Sequence, residues 1–226
     1  MHKTTRFLPF LLVAACALCT CSAHATTYYW IGGASGEWAN GSNWSLTDGG
    51  EAANANPGAS DAATFGSAAS IAMSAGVNIS NIIIGAGVRV QFASSDYKVL
   101  QVNAVTADAT STLALSNVIV IPAVDGAPIS GQIELVAGTT NGLYGESGKN
   151  LQVNGNLTGS GEVYFRNNAW KGSRGGVNLN GDNSQFSGVA HILMAEGLDM
   201  RGSSGYATKF KWTTLSSGSA NARWIV

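Results

Sequence analysis

The sequence predicts an all-β fold, built as a single-stranded right-handed parallel β-helix, with an antiparallel β-sandwich as the alternative architecture. Three observations carry that expectation. Short runs of alternating apolar and polar residues recur along the chain, with no run of helical periodicity between them. Gly, Asn, Ser and Thr crowd the positions between runs, where tight corners need positive φ or a local side-chain hydrogen bond. Small residues suit the narrow interior of a solenoid, where each coil stacks directly on the next. The residues are 45% hydrophobic and only 11% charged, the reverse of a disordered composition.

The chain opens with a segment of another kind. Lys3 and Arg6 make a short basic start, and residues 7–19 are apolar apart from Pro9. That stretch is short for a membrane span, which needs roughly 20 apolar residues. Ala23-His24-Ala25 follows, the small-x-small pattern that a signal peptidase accepts. Residues 1–25 therefore read as a secretory signal peptide cut between Ala25 and Thr26. Val13-Ala14-Ala15-Cys16 resembles a lipobox, which would instead make Cys16 a lipidated N-terminus. The apolar run continues past Cys16, which favours the cut at Ala25. All three cysteines, Cys16, Cys19 and Cys21, lie in this leader, so the exported chain has no disulfide framework and no thiolate chemistry. Removing it takes two positive charges, Lys3 and Arg6, from a formal net charge of −1 and leaves −3, with His191 as the one remaining histidine. Such a chain lacks the basic surface that a phosphate backbone requires, so nucleic acid is excluded as a partner. No second apolar stretch of spanning length follows, so no transmembrane segment is expected after the leader.

Residues 26–70 are rich in Trp and Gly and read as an N-terminal cap segment; residues 71–226 read as solenoid coils. Strands are predicted at 77–84 (VNISNIII), 87–92 (GVRVQF), 99–102 (VLQV), 113–121 (LALSNVIVI), 132–136 (QIELV), 151–157 (LQVNGNL), 162–165 (EVYF), 177–179 (VNL) and 189–194 (VAHILM). Asn154-Gly155 and Asn180-Gly181 mark turns. At roughly 20–25 residues per coil, about eight coils would fit.

Two stretches together resemble a known family. Trp30-Ile31-Gly32-Gly33 is followed by Gly36-Glu37-Trp38, Asn43-Trp44-Ser45 and Asp61-Ala62-Ala63-Thr64-Phe65. Further on come 151–161 (LQVNGNLTGSG) and 177–188 (VNLNGDNSQFSG). These are similar to the opening and the repeat of large bacterial surface proteins that carry autotransporter-associated β-strand repeats. The resemblance covers residues 28–66 and 150–195 and implies an exported passenger-like solenoid. One good repeat copy is visible and no translocator barrel follows in the sequence. The chain is therefore expected to be the truncated front of a longer passenger, or a stand-alone protein whose translocator barrel is separate.

Candidate chemistry is sparse. Trp30, Trp38 and Trp44 support two readings: a sugar-stacking platform for glycan binding, or a plug over the open end of the solenoid, which large aromatics cover with few residues. The plug is favoured. Gly32-Gly33 and Gly36 lack the following Lys-Ser/Thr and the βαβ setting of a phosphate loop. A catalytic triad would need His191 beside a nucleophile such as Ser187 and an acid such as Asp182, but no G-x-S-x-G elbow is present. Asp61, Asp108, Asp125, Asp182, Asp199 and the glutamates are scattered, and a glycosidase pair such as Glu162 with Asp182 has only its residue types in its favour. Asn43, Asn78 and Asn156 stand in N-x-S/T sequences and read as corner residues. No catalytic residues, cofactor or metal site are assigned. The expected function is a secreted or cell-surface structural or adhesive solenoid whose partners are surface or matrix glycans and proteins. A polysaccharide-acting enzyme or carbohydrate-binding module on the same scaffold is the alternative.

Overall fold

A computed structural model describes residues 25–146, 148–168 and 175–193, together with the short strands Leu198–Asp199, Thr214–Leu215 and Trp224–Ile225. Residues 1–24, which hold Cys16 and all but the last residue of the segment read as a leader, lie outside the described residues. So does the solenoid read over most of residues 194–226.

The chain is all-β and its strands stack as a parallel β-solenoid of about 5 turns. One coil shows the path. Residues 99–102 of the strand Val99–Thr106 lie on a first face, residues 104–106 of that strand on a second, and Thr112–Ser116 on a third. The next coil repeats this with Ile119–Pro122, Ala127–Ile129 and Gln132–Leu135, each parallel to its counterpart. The coil after that uses Thr140–Glu146, Leu151–Val153 and Asn156–Gly159. Parallel pairing already begins within residues 26–70: Thr27–Trp30 lies on Ala62–Phe65, and Ser35–Glu37 on Ala69–Ala72. Side chains join residues one coil apart, as when Asn117 Oδ1 accepts from Thr140 N, 23 positions on, and Asn156 Oδ1 from Asp182 N, 26 positions on. The sandwich alternative is therefore set aside. Among the described residues antiparallel pairing is confined to Trp44–Ser45 against Thr27–Trp30 and to the bridges Ser45–Ala52 and Glu146–Lys149.

The interior follows from strand alternation, which sends every second side chain inward and stacks like positions from coil to coil. One row runs Ala63, Ile82, Val105, Ile129, Val153 and Leu179. Another runs Val90, Leu113, Ile133 and Leu157, and a third Leu100, Val120, Leu143 and Phe165. All are buried. Each large member stabilises the fold by about 1.5–3 kcal/mol relative to exposure.

One expectation needs correction. The run 113–121 is two strands, Thr112–Ser116 and Ile119–Pro122, because Asn117 takes φ 56° and turns a corner there. Residues 38–61 add no parallel rung: the strand Trp44–Ser45 pairs antiparallel with Thr27–Trp30. The predicted Asn-Gly turns prove to be corners between faces. At Gly155 a Cβ would collide with the carbonyl of Gly131, and at Gly181 with that of Gly155. Three glycines thus form a column where successive coils approach too closely for any side chain.

Candidate functional site

At the N-terminal end of the column the indole rings point inward. Trp30, Trp38 and Trp44 are 7%, 4% and 0% exposed. Trp44 packs edge-on against Trp30 at 5.1 Å, Trp38 at 4.7 Å and Phe65 at 5.7 Å, and Trp38 reaches Phe92 at 5.9 Å. Such geometry adds about 0.5–1.5 kcal/mol per ring pair to the area each buries. The ring nitrogens are satisfied at short range: Trp44 Nε1 donates to the Trp38 carbonyl at 2.9 Å and Trp30 Nε1 to that of Gly33 at 2.8 Å. Asn43 Nδ2 donates to the Glu37 carbonyl at 2.9 Å, holding the turn Gly41–Asn43 against Ser35–Glu37. A Cβ on Gly36 would stand 2.6 Å from Asn43 Nδ2 and 2.9 Å from Trp30 Cη2, so the glycine makes room for both. The rings face one another, and the sugar-stacking platform read from the sequence is not presented to solvent. Beside them a cleft of about 270 Å³ opens between Glu37, Trp38 and Pro57 on one wall and Gly76 to Asn78 on the other. Glu37 Oε1 accepts from Ser74 N and Oγ at 3.0 and 2.9 Å.

Asp61, from the Asp-Ala-Ala-Thr-Phe segment, ties the start of the described chain to the first coils. Its Oδ1 accepts from Thr26 N at 3.0 Å and its Oδ2 from Gly58 N at 2.8 Å. Its carbonyl accepts from Ser80 N at 3.0 Å. Ala25 is exposed, and Thr26 starts the path into the first strand.

On the first face the structure assembles a group that spacing did not reveal. His191 lies beside Tyr164 in the next strand, their rings stacked at 4.3 Å and 10°. His191 Nε2 sits 3.3 Å from Glu162 Oε2 without an aligned hydrogen bond. Neither partner proposed for a triad is there. Ser187 Oγ donates to the Gly159 carbonyl, and Asp182 lies beyond the second-face strand Val177–Leu179 with its N–H on Asn156. Glu162 and Asp182 likewise fall on different parts of the coil. The signal for the His191–Glu162 meeting is register across one coil, which is invisible until the stacking is known.

The outward side of this first face differs from that of the third. Val99, Ile119 and Tyr164 stand in one row, with Gly142 between the last two. The Tyr144 ring lies over that glycine, 2.8 Å from where its Cβ would be. Arg166 sits 6.0 Å from the centre of that ring, and burial pushes the Tyr144 phenol above its ordinary pKa. Outward positions on the third face are polar instead: Ser70, Gln91, Thr112, Gln132 and Thr158. No group of three or more His, Cys, Asp or Glu able to hold a metal occurs among the described residues, and none of the helices there is long and apolar enough to cross a membrane. Comparison with protein families, with characterised proteins and with solved structures returned no match.

Proposed function

We propose that the protein is an exported, surface-associated structural or adhesive β-solenoid of the autotransporter-passenger kind, which acts through reach and contact surface without catalysis. The observation that carries this reading is the stacking itself. The two stretches that resemble the family's repeat lie on successive coils, Leu151–Val153 against Val177–Leu179, with Leu157 N donating to Asn183 Oδ1 26 positions on. A column built this way presents long, regular faces, and here the first carries the row from Val99 to Tyr164. That first face is the contact surface in this reading, and the buried indoles cap the column.

The test is expression of the whole chain in a Gram-negative host with an epitope tag in the exposed turn at residue 95. Removal of the leader, accessibility of the tag to added protease, and attachment of the cells to coated surfaces are the expected results. Retention in the cytoplasm with the leader intact, or export with no attachment, would contradict it. Turnover of a polysaccharide by the purified chain would restore the enzymatic alternative.

A further inference from the structure

We infer that removal of the leader completes the N-terminal anchor, by converting the Thr26–Asp61 contact from an amide hydrogen bond into an ion pair. The inference rests on the export reading, because it needs the cut after Ala25. Hydrolysis adds water across the Ala25–Thr26 amide. Ala25 departs with the new carboxylate, and Thr26 keeps its nitrogen, which takes up a proton to become an α-ammonium. That nitrogen is already 3.0 Å from Asp61 Oδ1. The same carboxylate is held in place by Gly58 N at 2.8 Å, and the Thr26 carbonyl is fixed by Ala62 N at 2.8 Å. The new charge therefore needs no rearrangement to find its partner, and a charge-assisted bond of this length is roughly twice as strong as a neutral one.

The position matters because of what Asp61 joins. Its backbone receives Ser80 N on the following coil, while its side chain holds Thr26 and Gly58. Strengthening one bond at this point tightens the first strand, Thr27–Trp30, on Ala62–Phe65 and so secures the coil that carries Trp30. The strands packed around Thr26, Ala62–Phe65 and Val77–Ile84, contain no other titratable residue. Tyr28 and Tyr29 are the titratable residues on its own strand. Asp61 is the acid that the structure places against the new terminus. An ionised carboxylate at this distance favours the charged form of the α-amine. The pair needs both charges, so the added stability is present between the carboxylate range and about pH 8 and is lost as pH rises through the α-amino range.

The experiment compares three purified proteins: one starting at Thr26 with a free amine, one starting at Ala25, and one starting at an acetylated Thr26. The free Thr26 terminus is expected to melt a few degrees higher than the other two. Asp61→Asn, which keeps an acceptor oxygen and loses the charge, is expected to abolish the difference. Should Asp61→Asn fail to fold, the pH series on the unsubstituted proteins serves instead, with the advantage disappearing above the α-amino range. Equal melting of all three, or an advantage that survives in Asp61→Asn or at high pH, overturns the inference. Terminal sequencing of exported protein tests the export reading separately. A different cleavage site would sink that reading while leaving the melting comparison valid as a test of the clasp.

Discussion

Gly155 and Asp108 show how single residues govern the corners. Glycines between strands look alike in sequence, yet Gly155 is required by the Gly131 carbonyl above it, whereas Gly66 has open space where a Cβ would stand. Gly155→Ala is expected to destabilise the protein by about 1–3 kcal/mol through overpacking of backbone on backbone. Gly66→Ala, with no positive φ, is expected to be neutral or stabilising by up to about 1 kcal/mol. Denaturant melts of both variants check the contrast. Asp108 fixes another corner: it accepts from Thr110 Oγ1 at 2.7 Å, Thr110 N at 2.8 Å and Ser111 Oγ at 2.8 Å. The Thr110 hydroxyl, then that of Ser111, holds its carboxyl below the ordinary 3.8. A depressed carboxylate contributes stability above its unfolded pKa and loses it as pH falls through the folded value. Asp108→Asn is therefore expected to flatten the fall in melting temperature between about pH 5 and 3. An unchanged acid limb would argue against this role.

At the level of the strand, alternation identified what faces inward but not which residues meet. The runs 99–102 and 132–136 were legible because apolar and polar residues alternate there, and 77–84 because it is rich in Val and Ile. The strand Ala127–Ile129 was not, since it is three residues long with Pro128 at its centre. Thr140–Glu146 was hidden by Gly142 and Gly145. Asn117 sits inside an apolar run and ends a strand because its amide oxygen serves the next coil. Of the functional groups, the aromatic end was legible from the clustering of Trp30, Trp38 and Trp44. The His191–Tyr164–Glu162 group and the row from Val99 to Tyr164 were not. Their members are separated by a full coil, and coil length varies from one turn to the next. Cross-coil side-chain contacts also explain surface burial: Arg89 Nε pairs with Glu134 Oε2 at 2.6 Å, reaching across the coil that carries Ala114, which is fully covered.

For the whole molecule, a column has ends, and ends are where it fails or joins. Its interior rows are apolar among the described residues, so the first coil must close them. Trp44 is the centre of that closure, touching Trp30, Trp38 and Phe65. Trp44→Ala is expected to cost about 3–5 kcal/mol. Trp30→Ala, nearer the surface, should lower the melting temperature less and promote end-to-end association by uncovering the first coil. A monomeric elution profile with an unchanged melting curve would count against the cap.

The stacking of coils is tested most directly by a distance along the column. Ser70 and Thr158 occupy the same outward row of the third face, joined through Gln91, Ala114 and Glu134. Four steps of about 4.8 Å separate them by about 19 Å. The chain from Thr26 onward contains no cysteine, so Ser70→Cys and Thr158→Cys can be spin-labelled without further substitution. Both labels project in the same direction, so their tethers offset the separation little. Dipolar spectroscopy is expected to give one narrow distribution near 20 Å; a broad distribution, or a narrow one centred well beyond 30 Å, would contradict the stacked column.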